Sequence, residues 1–139
     1  MTDPSDSAIR VFVYGTLKPG EANYQPYCAG KVTAIRPACT IGQLFDLPLG
    51  YPTMTPGNGW VYGNLLEFDD GNVLANIDAL EGYDPQGPPQ ANDYLRLALQ
   101  VYTPTGEPLG SAWGYIMSVE QAREWGGTLL RSGNWRAQA

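Results

Sequence analysis

One carboxylate in this chain stands where an acid is costly. The apolar spacing over residues 72–81 predicts a helix, and at about 100° per residue Val73, Leu74, Ile77 and Leu80 share a single apolar arc. Glu81 falls inside that arc, between the directions of Ile77 and Leu74, whereas Asp78 falls at its edge, where a solvated acid is ordinary. A carboxylate on a core-facing stripe costs several kcal/mol unless it is paired, hydrogen-bonded or protonated. The negative end of the helix dipole makes its ionisation harder again. Both effects raise a pKa, in the direction a general base working near neutral pH requires. Gly82 follows at the natural stop position. The competing reading ends the helix one residue earlier and turns Glu81 into solvent.

A second cluster lies in VFVYGTLKPG, residues 11–20. The apolar run Val11, Phe12, Val13 breaks off at Tyr14-Gly15-Thr16-Leu17. Backbone N–H groups of a tight glycine loop can hold a carboxylate or a developing oxyanion, and Gly15 permits close approach of the chain. A plain turn accounts for the same residues. A phosphate cradle does not: the spacing G-x-x-x-x-G-K-[ST] is missing, and Lys18 precedes Pro-Gly instead of opening a helix. Tyr94 and Tyr115 are polar-tipped wall residues or strand packing; Arg96 could pair with a substrate carboxylate or with a structural acid.

Composition narrows the chemistry further. The 139 residues contain no histidine, which removes Ser-His-Asp and Cys-His nucleophiles and the commonest zinc ligand. Proton transfer is left to a carboxylate, a tyrosine or a lysine. Cys28 and Cys39 are too far apart for a thiol–disulfide motif or a zinc knuckle and read as buried thiols. No metal and no organic cofactor are expected. A net charge of -6, with basic residues scattered, argues against nucleic acid and anionic membranes as partners. No apolar run is long enough to span a membrane, and the polar start MTDPSDSAIR lacks the features of a signal peptide, so a cytoplasmic location is expected.

The elements that must position these residues follow from periodicity. Strands are expected at 9–14, 31–47 with an interruption at Pro37, 60–68, 94–103 and 111–117, the last two forming a hairpin. Leu95, Leu97, Leu99 and Val101 should share a face. Residues 20–28 suit a short helical turn before Pro26, and 47–59, dense in Pro and Gly, a loop. Gly63 suggests a bulge or close backbone approach. Asp69 and Asp70 are cap candidates for the helix 72–80, and Ser118 for a helix over 119–125. Five or six mostly antiparallel strands with one or two helices fit a barrel-like α+β domain. One domain over 1–139 is expected, with 1–8 a flexible tail.

VYGTLKPG together with IDALEGYDP resembles the γ-glutamylcyclotransferase-like family, in its branch of γ-glutamylamine cyclotransferases and plant avirulence-induced-gene-like proteins. GQLFDLPLGYP at 42–52, VYGNLLEF at 61–68, YLRLALQVY at 94–102 and SGNWR at 132–136 agree, so the resemblance covers nearly the whole chain. It implies a small mixed β-barrel of about five to seven strands flanked by one to three short helices. It also implies a pocket at the barrel mouth, lined by Tyr14, Gly15, Thr16 and Leu17, with Glu81 as general acid/base. The implied reaction turns the α-amine of a γ-glutamyl group onto its own γ-carbonyl, giving 5-oxoproline and a free amine. Ile77 stands where the family often has Leu, and the proline-rich stretch 85–90 is expected at the pocket rim. Two alternatives remain open: a non-catalytic module binding a small anionic ligand, and a different amine or amide chemistry in the same pocket. Which amine leaves, and any protein partner, are left open.

Overall fold

The computed structural model describes residues 9–88 and 92–136; the expected tail 1–8 lies outside them. Five strands close into a ring: β1 (Ile9–Val13), β2 (Val32–Asp46), β3 (Pro52–Phe68), β4 (Leu95–Tyr102) and β5 (Pro108–Ile116). Their order is β3-β1-β5-β4-β2, and β2 pairs again with β3 to complete the ring. A short β6 (Thr128–Leu129) extends the far end of β2 through Phe45 and Asp46. Among the described residues β1–β5 is the parallel pair and the other ladders are antiparallel, so the barrel is mixed. Three short helices flank it: α1 (Tyr24–Tyr27), α2 (Asn72–Leu80) and α3 (Val119–Glu124). The architecture is the expected α+β barrel.

Strand alternation divides the core in two. Phe12, Leu44, Met54, Val61, Leu65, Val101 and Ala112, from all five ring strands, fill the barrel interior together with Trp135. Val11, Val13, Phe68, Tyr115 and Met117 face the other way, against Val73 and Ile77 of α2 and Ala122 of α3. Burying a side chain such as Ile77 contributes roughly 1.5–3 kcal/mol. β1 serves both cores, Val11 and Val13 on one face and Phe12 on the other, and the chain leaves β1 where the two cores meet.

Three expectations fail in instructive ways. Residues 52–59 are not loop, because Pro52–Thr55 pair with Gln43–Asp46. Pro56-Gly57-Asn58 form an insertion between the pairs Gln43↔Thr55 and Gly42↔Gly59. Both prolines thus occupy positions that spare the ladder, the strand start and the bulge. β2 runs uninterrupted through Pro37, where β4 has not yet joined it; their contact begins at Cys39. Pro26 sits inside α1, in a first turn that needs no N–H from it. The leucine face of β4 also changes character along its length: Val101 is fully buried, whereas Leu97 is 44% exposed.

Gly63 is a site of close approach, as its place in the strand suggests. A Cβ there would lie 2.0 Å from the carbonyl oxygen of Val13, the last residue of β1.

Candidate functional site

The site is built where α2 ends. Asp70 accepts a hydrogen bond of 2.9 Å from the Asn72 N–H at the start of this helix. At its other end Gly82, with φ 70°, donates to Ala79, and Tyr83 donates to Asp78. These two bonds are the paired closure of a Schellman motif and fix Glu81 as the last residue before the chain reverses. The Glu81 side chain turns into a pocket and not into solvent.

The opposing wall is the segment after β1. Lys18 N–H donates to the Gly15 carbonyl at 3.0 Å, closing a turn, and Asn23 N–H donates to the Thr16 carbonyl at 2.8 Å. The Asn23 amide also donates to the Thr16 hydroxyl at 2.9 Å. Among the described residues, the N–H groups of Gly15, Thr16 and Leu17 donate to no backbone carbonyl. Gly15 is needed for a reason the sequence did not show. A Cβ would lie 2.9 Å from Cγ and Cδ of Pro52, itself a wall residue, so the close approach is to the protein's own ring.

All seven residues expected at the site line this one pocket: Tyr14, Gly15, Thr16, Leu17, Glu81, Tyr94 and Tyr115. Its empty volume, which runs out to open solvent at the mouth, is about 380 Å³. It opens into an outer chamber of about 680 Å³. Thr16, Tyr51, Glu81 and Tyr94 line both.

Burial alone pushes the Glu81 carboxyl up from 4.5 to about 7, and no cation pairs with it among the described residues. The tyrosines around it stay protonated. Burial raises Tyr14, and the neighbouring Tyr94 and Glu81 raise it further. Tyr94 and Tyr115 are likewise raised first by burial and further by the Glu81 charge. Tyr14 Oη donates to the Tyr115 carbonyl at 2.8 Å, tying the loop to β5.

Asp78 and Arg96 behave differently from their sequence reading. Asp78 is buried, at 6% exposure, and is no solvated acid. Its carboxylate accepts 2.6 Å hydrogen bonds from Arg96 Nη1 and from Tyr115 Oη. The Arg96 guanidinium lies 4.9 Å from the Trp113 ring centre and 5.5 Å from that of Tyr83. Arg96 therefore serves a structural pair and lines neither the pocket nor the chamber. A contact between α2 and β4 leaves no mark in either local pattern.

Phe12, Val13, Tyr51 and Pro52 also line the pocket and were not among the residues expected there. The signal for Tyr51 was an aromatic inside the Pro/Gly-rich stretch LPLGYP. Of the proline-rich stretch 85–90, residues 85–88 line neither cavity and 89–90 lie outside the described residues. Cys28 and Cys39 are buried free thiols. Among the described residues no three potential metal ligands gather, and no helix is long and apolar enough to cross a membrane.

Known proteins resemble this chain in sequence and in fold. The chain is 32% identical over 127 residues to the γ-glutamylcyclotransferase family protein ytfP of Citrobacter rodentium, covering 91% of this chain and 95% of that protein. It is 36% identical to the γ-L-glutamyl-butirosin B γ-glutamyl cyclotransferase of Niallia circulans, over 82% of this chain and 70% of that enzyme. In structure it is similar to an AIG2-like protein from Mus musculus, with a TM-score of 0.66 and 27% identity, over 93% of this chain and 88% of the other. The family model described as γ-glutamyl cyclotransferase, AIG2-like, matches residues 11–137. A match spanning β1, the pocket loop, α2 and the SGNWR segment shows that the chain belongs to the γ-glutamyl cyclotransferase, AIG2-like family.

Proposed function

We propose that this enzyme cyclises a γ-glutamyl compound to 5-oxoproline and a free amine, with Glu81 as general acid/base. Family membership supplies the reaction class. The observation that carries the mechanism is that Glu81, raised to about 7 by burial and without a cation partner among the described residues, lines one pocket with the Gly15–Leu17 turn, whose N–H groups meet no backbone carbonyl among those residues.

In this reading the N–H groups bind the substrate's anionic oxygen, whether carboxylate or developing oxyanion. Glu81 accepts a proton from the α-ammonium group. The freed amine nitrogen attacks the γ-carbonyl carbon, closing a five-membered lactam. The bond from that carbon to the leaving nitrogen then breaks as Glu81 returns the first proton to that nitrogen. The ring nitrogen gives up a second proton, which passes through the Glu81 carboxylate to the free amine, so the amine departs as an ammonium ion. Both reacting atoms belong to one molecule, so no covalent enzyme nucleophile is needed. This suits a chain without histidine.

The test is Glu81→Gln, assayed for 5-oxoproline release across a panel of γ-glutamyl compounds. Turnover should fall by ~10²–10⁴ while folding survives. The wild-type rate should rise with pH through about 7. A variant that releases 5-oxoproline at the wild-type rate removes Glu81 from the mechanism.

A further inference from the structure

The chamber outside the pocket has a charge of one sign. Besides the four residues shared with the pocket, it is lined by Asn23, Leu80, Gly82, Asp93 and Trp125. Its charged groups are Glu81 and Asp93; neither the chamber nor the pocket is lined by a lysine or arginine. Two helices end on it, α2 through Leu80, Glu81 and Gly82, and α3 through its cap residue Trp125. Helix C-termini carry partial negative charge that favours cations. Tyr51 is raised by burial and then by Glu81 and Asp93, so both carboxylates reach the same spot. The aromatic faces of Tyr51 and Trp125 offer cation–π contacts to an ammonium group.

We propose that this chamber receives the leaving group, and that it selects amines carrying a second positive charge and no carboxylate. The inference rests on the cyclotransferase reading, which puts the γ-glutamyl group in the inner pocket and so directs the leaving nitrogen outward past Glu81. A tail ammonium meets Asp93, Trp125 and two helix ends there. A tail carboxylate, as on a leaving amino acid, meets two carboxylates and no cation.

Three substrates with four-carbon leaving groups separate the cases: the γ-glutamyl derivatives of 1,4-diaminobutane, of butylamine and of 4-aminobutanoic acid. The expected order of kcat/KM for 5-oxoproline release is diamine, then butylamine, then amino acid, with about tenfold or more between the ends. Added salt should narrow that spread, because a charge at a chamber mouth is screened. Asp93→Asn should lower the diamine-to-butylamine ratio about fivefold, the scale of one partly exposed ion pair. Equal or reversed rates, with 5-oxoproline still formed, overturn the cation subsite and leave the cyclotransferase reading standing. Release of 5-oxoproline from none of the three overturns both.

Discussion

Asp78 and Glu81 sit three residues apart on α2 and its cap, and their carboxylates meet opposite surroundings. Asp78 is held between Arg96 Nη1 and Tyr115 Oη, each at 2.6 Å. Glu81 faces a pocket with no cation beside it. One acid is thereby held as a structural anchor, and the other is raised by burial toward taking up a proton. The two are linked, because Tyr115 touches Asp78 and also lines the pocket that holds Glu81.

Removing the anchor should be costly. Asp78→Ala strands the Arg96 guanidinium, whose Nε is already buried without a partner, and leaves Tyr115 Oη without its acceptor. The expected loss is about 3 kcal/mol, typical of a broken buried pair. Pairing it with Arg96→Met should restore more than half of that, since the stranded charge goes too. Urea unfolding of both single variants and the double variant measures this; additive losses would show that the pair is not coupled.

Glu81 sets a pH dependence of stability with a defined sign. Its carboxyl titrates at about 7 in the folded chain against 4.5 when unperturbed, so the folded state binds the proton more tightly. The contribution is full below pH 4.5 and is lost as pH rises to about 7. Allowing for partial exposure, it amounts to ~2–3 kcal/mol. Thermal melts from pH 5 to 8 should fall more steeply for the wild type than for Glu81→Gln. Parallel curves would mean that Glu81 has no raised pKa.

Gly63→Ala should damage the fold itself. The added Cβ would meet the Val13 carbonyl oxygen at 2.0 Å, and that oxygen belongs to a strand paired on both sides. A loss of about 3 kcal/mol is expected, the upper range for overpacking. Gly71→Ala, with nothing within 4 Å of the new Cβ, serves as the control and should cost under ~1 kcal/mol. Denaturant midpoints compare the two.

Gly15→Ala should act on the site more than on the fold. Its Cβ meets only the Pro52 ring, at 2.9 Å, and that ring can give way into the pocket. KM for an accepted γ-glutamyl substrate should rise by about tenfold, with a loss of stability below ~1.5 kcal/mol, the scale of a mild packing misfit. An unchanged KM would make the segment a turn and nothing more.

The barrel and its helices were legible because their signals are local: alternation in β1 and β5, an apolar arc on α2, and a stop at Gly82. Glu81 was legible for the same reason, as an acid on the wrong side of a helix. What stayed hidden depends on contacts between distant segments. Pro52–Thr55 read as loop because proline and glycine density marks loops, and only pairing with Gln43–Asp46 makes them strand. Asp78 read as solvated because its partners come from β4 and β5. Tyr51 joins the pocket only because Pro52 starts a strand beside Gly15.

Lys18 closes the Gly15–Lys18 turn, and its side chain is buried, donating to the Trp135 carbonyl oxygen and, at 3.4 Å, to the Asn134 side chain. Trp135 in turn lies in the barrel interior and donates from its indole to Asp46 at 3.0 Å. The pocket loop is thus fastened by residues more than a hundred positions further along the chain. A chain cut before Asn134 would keep β1, α2 and Glu81, yet lack that fastener. Order in the Gly15–Leu17 turn therefore depends on the SGNWR segment, far from it in sequence.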